Sequence, residues 1–258
     1  MNILVCVKQT YDLQQVRIRK ETRQPVLENI PLTLGNIDKN ALEEAVRLKE
    51  KYGGKITALS AGPESLEDTI KEALAMGADE AVLVAAPELE SIESALSAAL
   101  LAKAVAQAGP WDLILLGEGS TDNYSGQVGP RLAEILSLPH IAFARSLIVE
   151  GRTLKALRSL EDSFEEIELE LPALVSVVSE INEPRIPAVT QILKAGRKPK
   201  KILRPDDLGI RLGEFASQTL TISNLAPLQN RKGILFKDGA KDIPALVKAL
   251  EEEGLLRR

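Results

Sequence analysis

The chain has 258 residues, of which 45% are hydrophobic, 3% aromatic and 27% charged, with a formal net charge of −5. That balance argues against a nucleic-acid binder, and a single cysteine, Cys6, excludes an intrachain disulfide and fits a reducing, cytoplasmic setting. No apolar run approaches the roughly 20 residues of a membrane span, and the first eight residues read as a strand rather than a signal peptide.

In chain order, residues 3–7 read as a buried strand and 11–27 as a small hairpin outside the main sheet. Asn36-Ile37-Asp38 is expected to cap a helix over 41–52, with Leu42, Ala45, Val46 and Leu48 packed inward. Glu43 and Glu44 read as its solvated face. Gly53-Gly54 ends it. A strand over 55–61, a helix over 64–76, a strand over 81–85 and an Ala-rich helix over 91–108 follow. Strands of about five residues alternating with three- to four-turn helices predict a parallel sheet with right-handed crossovers.

Leu113 to Leu116 form a four-residue aliphatic run, short enough for a strand buried on both faces. A loop carrying Gly117, Gly119, Gly126 and Gly129 follows. It leads into a helical pattern with Val128, Leu132, Ile135 and Leu136 on one face. A strand that passes through such a loop into a helix offers free amides and a positive dipole end to phosphate groups. In an open α/β sheet the ligand lies at the carboxyl ends of the strands. The loop is longer and more polar than the usual two to six residues of a βα connection, which favours binding over a plain turn.

Beyond His140 the pattern changes: 141–150, 153–160, 164–171 and 173–178 read as consecutive strands, expected to complete the sheet with antiparallel members. Past Ile181 the chain is rich in Pro, Lys and Arg and is expected to form no packed element. Beyond Arg204 it is linker-like until a terminal helix over 243–253. The domain expectation is therefore a nucleotide-binding α/β domain over 1–181, a recognition loop over 182–200 and a partner-wrapping arm over 201–258.

Val7-Lys8-Gln9, Ala41-Leu42-Glu43-Glu44-Ala45-Val46-Arg47-Leu48-Lys49-Glu50, Ala73-Leu74-Ala75-Met76-Gly77-Ala78-Asp79, Gly126-Gln127-Val128-Gly129-Pro130 and Asn182-Glu183-Pro184-Arg185 resemble the β subunit of electron transfer flavoprotein in both content and spacing. The resemblance runs from the first strand to about Gly209. It implies an α/β fold of the adenine-nucleotide α-hydrolase-like kind and an α-subunit partner carrying FAD. It also implies a second adenine nucleotide in this chain: AMP in simple carriers, a second FAD in the electron-bifurcating branch. Further partners implied are an acyl-CoA or other dehydrogenase, or quinone-reducing and iron–sulfur subunits. The loop reads closer to the FAD-binding form, so FAD is favoured over AMP, although Tyr124 replaces an acidic residue. Glu161-Asp162-Ser163 also departs from the family's Asp-Gly-Gly.

Carried onto this sequence, the pocket would comprise Cys6, Asn36 and Asp38 of the turn 35–38, Ala61, and the loop residues Gly117, Thr121, Asp122, Asn123, Ser125, Gly126, Gln127 and Val128. From the residues themselves, the amides around 125–128 suit phosphate oxygens, whereas Asp38 either caps its helix or binds a ribose hydroxyl. Asp122 and Asn123 are turn formers or ligands. The second glycine of the pair Gly126/Gly129 reads as a close-packing position. Residues 182–194 resemble the family's recognition loop, with Val189 at the anchoring position.

No catalytic residue and no metal site is expected, since one His and one Cys assemble neither a triad nor a zinc set. His140 reads as structural and Cys6 as a small apolar residue. The basic cluster over 194–204 has no interleaved aromatics and suits partner binding or solubility rather than RNA. The rival reading is an ATP-binding regulatory module of the universal-stress type, which would leave the strand-rich second half unexplained.

Overall fold

The computed structural model describes residues 1–215, 221–228 and 231–256. Of the arm expected over 201–258, residues 216–220, 229–230 and 257–258 lie outside the described residues. The chain divides into two units, Met1–Arg17 with Val26–Ile222, and Ile18–Pro25 with Ser223–Arg258.

The first unit is built on β1 (Asn2–Cys6), whose Ile3, Leu4, Val5 and Cys6 are all buried. Two small ribbons follow: β2 (Gln9–Tyr11) pairs with β5 (Leu32–Leu34), and β3 (Arg17–Ile18) with β4 (Pro25–Val26). The small hairpin expected over 11–27, outside the main sheet, is the β3/β4 pair, and the β2/β5 pair that encloses it in the chain was not expected. The alternation runs on through α1 (Asn36–Tyr52), β6 (Lys55–Gly62), α2 (Leu66–Met76), β7 (Glu80–Ala85), α3 (Ser94–Ala108), β8 (Leu113–Gly117) and α4 (Val128–Leu136). A meander of β9 (His140–Glu150), β10 (Thr153–Ser159) and β11 (Phe164–Glu170) precedes β12 (Ala173–Val177).

Nine strands form one sheet in the order β11-β10-β9-β12-β8-β1-β6-β7-β13, where β13 spans Lys200–Leu203. Side chains alternate across it as the pleat requires. Ile3, Val5, Leu113 and Leu115 pack against Leu42, Ala45, Ile70 and Leu74 of α1 and α2 on one face. Leu4, Ile114 and Leu116 pack against Leu100, Leu101 and Leu132 of α3 and α4 on the other. Each such aliphatic side chain contributes about 1.5–3 kcal/mol by leaving water. The fold is the expected mostly parallel α/β sheet with antiparallel additions. From β1 the chain proceeds to β6 and β7 on one side, then crosses to place β8 on the other. The order therefore reverses at β1/β8, where ligands lie in open α/β sheets.

Four expectations are corrected. The antiparallel additions are only the meander: β12 is parallel to both β8 and β9, seated between them. Its five residues are all buried, the mark of a strand covered on both faces. The Pro- and Lys-rich segment is not devoid of structure. It contains α5 (Val189–Ala195), packed on α2, and β13, parallel to β7. An edge strand needs few inward side chains, here Leu203, and lysines blunt its free edge. Glu43 and Glu44 are not solvated; Glu43 is only 3% exposed. Ile135 of α4 faces outward, because nine residues make too short a helix to bury a wide stripe.

In the second unit, Arg23 and Ala226 exchange two hydrogen bonds, Ala226 N to Arg23 O at 2.9 Å and Arg23 Nη1 to Ala226 O at 3.1 Å. Lys232 pairs with Glu253 just past the terminal helix α6 (Ile243–Glu252). No described helix is long and apolar enough to cross a membrane.

Candidate functional site

At the carboxyl edge of β1, β6 and β8 the connecting segments leave a cleft of about 440 Å³. Its floor is the crossover point itself. Asp38, in the first turn of α1, lies buried between the two strand exits and accepts from Lys8 N through Oδ2 at 2.7 Å and from Gly117 N through Oδ1 at 3.1 Å. Two glycines make room for it: a Cβ on Gly35 would stand 2.8 Å from Oδ2 and one on Gly117 2.7 Å from Oδ1. Burial pushes the Asp38 carboxyl up to about 6, against the two amide hydrogen bonds that favour the ionised form. The N-cap of α1 is Gly35 and no side chain caps the helix, so the capping role expected of Asp38 is not the one it plays. Both of its oxygens serve the walls of the cleft.

Beside it Cys6 is buried, and desolvation with the nearby Asp38 charge raises its thiol to about 12. It packs as a neutral apolar side chain rather than a nucleophile. Ala61, at the end of β6, lines the adjoining wall.

The loop after β8 forms the rim. Asp122, Asn123, Ser125, Gly126, Gln127 and Val128 all line the cleft together with Gly117. Thr121 is half-buried in the loop and Asn36 is exposed on α1; neither is among the lining residues. Tyr124 takes φ 47° and donates its hydroxyl to Glu118 Oε1 at 2.6 Å, which raises the phenol to about 12. Its ring lies over Gly119, where a Cβ would come within 3.1 Å of Cδ2. Gly126, at φ 64°, then turns the chain into α4.

The amides of Ser125, Gly126, Val128 and Gly129 have no hydrogen-bond acceptor among the described residues. Pro130 lacks a donor altogether. Helix α4 thus begins with the free N–H groups that any helix start leaves. Gln127 Oε1 accepts from Ser94 Oγ at 3.1 Å and from Arg131 Nη2 at 2.9 Å, tying the starts of α3 and α4 together. Gly129 was expected to be a close-packing position; a Cβ there would make only ordinary contacts, with His140 Nε2 at 3.4 Å and Leu116 Cδ1 at 3.5 Å. His140 is half-buried, 3.4 Å from Ser176 Oγ, and its pKa is lowered by burial and by Arg158.

Sequence reasoning missed Lys8. Its ammonium spans the cleft to Asp122 Oδ2 at 2.7 Å and Oδ1 at 2.8 Å, while its own amide rests on Asp38. A polar residue directly after a buried parallel strand is at the ligand edge by topology alone, and that signal was available.

The family model for the electron transfer flavoprotein domain matches residues 26–208. The electron transfer flavoprotein β subunit of Thermoanaerobacterium thermosaccharolyticum is 38% identical over 99% of this chain and 100% of its own length. The human β subunit is 34% identical, covering 97% of this chain and 98% of its own. The chain belongs to the electron transfer flavoprotein family, as a β subunit. A further relative, subunit CarD of the caffeyl-CoA reductase-Etf complex of Acetobacterium woodii, is 33% identical over 88% of each chain.

The Asn182-Glu183-Pro184-Arg185 stretch has a structural basis in this β subunit. Asn182 donates to Glu44 Oε2 and Asn40 O, both at 3.0 Å, and Asn40 Nδ2 returns a bond to Asn182 O at 2.7 Å. Arg185 meets Glu43 Oε2 at 2.7 Å and Glu50 Oε1 at 2.6 Å. Beyond this anchor Val189 opens α5 with 72% of its surface exposed. It lies on a different element from the cleft.

Proposed function

We propose that this β subunit joins an FAD-carrying α subunit and holds an adenine nucleotide in the cleft at β1/β8. FAD is the reading of the Gly-Gln-Val-Gly-Pro loop, and AMP is the smaller occupant that the same anchors would hold. The assembly passes electrons from NADH or an acyl-CoA-type dehydrogenase to downstream acceptors, through bifurcation if the β nucleotide is FAD. The observation that carries the reading is the set of partnerless amides of Ser125, Gly126, Val128 and Gly129 at a cleft whose opposite wall presents Lys8.

The residues fit the group. Phosphate oxygens would be held by the amides of Ser125, Gly126 and Val128 and by the dipole of α4; the adenosine portion would lie toward Cys6 and Ala61, with no acid or base required of the protein. FAD, when bound, supplies a ring that accepts and releases electrons, and the chain supplies position and electrostatics. The relative named as part of a caffeyl-CoA reductase-Etf complex supports an oxidoreductase of CoA esters as partner. Val189 and the exposed α5 are proposed as the docking point, residues 182–200 as the recognition segment and the part of 201–258 that follows β13 and the buried Leu208 and Ile210 as the arm that clasps the α subunit. Similarity over nearly the full chain favours this over a universal-stress-type ATP module.

The test is acid release of nucleotides from the complex purified with its α subunit. Two FAD per heterodimer supports the FAD form, and one FAD with one AMP the simple carrier. A complex with no adenine nucleotide beyond the α-subunit FAD overturns the cleft's role.

A further inference from the structure

Among the described residues lining the cleft, Lys8 is the only cation, against the carboxylates of Asp38, Glu90, Glu118 and Asp122. Both oxygens of Asp122 are spent on it, and Ser120 Oγ lies 3.5 Å from the same ammonium. Burial works against ionisation of Asp122, yet the hydrogen bonds from Lys8 and Ser120 and the Lys8 charge hold it below the usual aspartate range. It is therefore an anion at neutral pH. A carboxylate anion offers no donor to a phosphate oxygen and repels it; an ammonium does the reverse.

We propose that Lys8 is a phosphate-binding residue for which Asp122 and the nucleotide phosphate compete, so that Asp122 is a counter-ion that restrains affinity rather than a ligand. The proposal rests on the reading of the cleft as a nucleotide site and deepens it. The geometry makes the exchange local. Lys8 is held at the floor through its backbone: its amide donates to Asp38, and its carbonyl accepts from Gly35 N at 2.9 Å. Its half-exposed side chain is left free to change partners without moving the strand. Asp122 has a second hydrogen bond waiting, from Asn123 N to Oδ1 at 2.9 Å, and stays partly solvated, so losing Lys8 does not strand a buried charge. The consequence is a sign that a ligand role would not give: removing the Asp122 charge tightens phosphate binding. The device also couples the nucleotide to the loop, because the phosphate that takes Lys8 releases residues 120–124 from the β1 wall.

The experiment uses the full-length chain in complex with its α subunit after removal of the releasable β nucleotide, with AMP and adenosine as probes by calorimetry. Asp122→Asn is expected to bind AMP roughly tenfold more tightly, and Lys8→Gln at least tenfold more weakly, the range of one hydrogen bond to a charged group. Adenosine affinity is expected to stay unchanged in both, and Lys8→Arg to restore AMP binding to near the wild-type value. The proposal is overturned if Asp122→Asn leaves AMP affinity unchanged or lowers it. It is likewise overturned if adenosine and AMP shift together, which would mean a deformed cleft. A wild-type complex that binds neither AMP nor FAD in this cleft overturns the nucleotide reading itself, a result distinct from the other two.

Discussion

Helix α1 serves two regions of opposite character. Its first turn sends Asp38 into the floor of the cleft, where two strand exits and two glycines enclose one carboxylate. Further along it, Asn40, Glu43 and Glu44 hold the segment from Asn182 to Arg185, beyond which Ile186, Val189 and Leu193 stand in solvent. At the floor Asp38 is buried and both of its hydrogen-bond donors are backbone amides, so its carboxylate is held on both sides. At the limb only the root is fixed, and the tip is apolar and bare. A nucleotide site needs the first arrangement, because donors aimed at phosphate act only if they are held still. A docking segment needs the second: an exposed apolar surface on a rigid root is what a partner can cover. The variants below separate the two.

The largest effects are expected at the floor. Asp38→Ala leaves the amides of Lys8 and Gly117 without their acceptor, a loss of about 3 kcal/mol for two such groups. Gly117→Ala is expected to cost nearly as much, up to about 3 kcal/mol, since the new methyl meets Asp38 on one side and Ile37 backbone on the other. Both should weaken nucleotide binding, as read by denaturant titration and calorimetry on the same preparations. The floor also has its own pH signature. The Asp38 pKa in the folded chain, about 6, is above its ordinary 3.8, so the native state takes up the proton first as pH falls. The stability this adds is full below 3.8 and is lost as pH rises through 6. Between pH 7 and 5 the melting temperature of the wild type should therefore rise relative to Asp38→Asn, which does not titrate there. A constant difference would mean that Asp38 is not the group that titrates.

An intermediate effect belongs to the root of the limb. Arg185→Ala removes one of the two cations on the buried Glu43, and Arg47, 2.9 Å away, remains. Loss of a whole buried pair costs about 3–5 kcal/mol, so with one cation left about 2 kcal/mol is expected. Hydrogen exchange over 186–193 should accelerate, while AMP affinity stays at the wild-type value. A change in AMP affinity would show that the two regions are coupled through α1, contrary to the comparison above.

How legible each region was in the sequence follows from the kind of signal it carries. The strands β1 and β8 are uninterrupted aliphatic runs, and the glycine-rich loop between β8 and α4 is punctuated strongly enough to locate the cleft. The resemblance then supplied the pocket residues, ten of which line it. The limb's root was hidden because Glu43 and Glu44 look like any solvated helix face; their burial depends on Asn182 and Arg185, some 140 positions away. Strand β13 was hidden for a related reason, since Lys-Lys-Ile-Leu buries one side chain and takes its register from β7. Lys8 carried one signal, its place just after a buried strand, which marks the ligand edge without naming a partner. Its role appears only when β1 and the loop 117–127 are brought together by the crossover.

The smallest effect on stability, and the sharpest on function, is expected at the limb's tip. Val189→Asp changes a side chain 72% exposed, so the fold should shift by less than about 0.5 kcal/mol. Nucleotide content should be unaltered, because no residue of α5 lines the cleft. If the tip is the docking point, a charge there must be desolvated against an apolar partner surface, and dehydrogenase-coupled turnover should fall at least tenfold, about 1.4 kcal/mol of binding. The fall should appear in KM for the partner, with the rate of flavin reduction by a small artificial reductant unchanged. Val189→Leu, which keeps the apolar surface, should retain turnover. If Val189→Asp turns over the partner as the wild type does, the exposed face of α5 has another use, and the division of labour along α1 holds for the cleft alone.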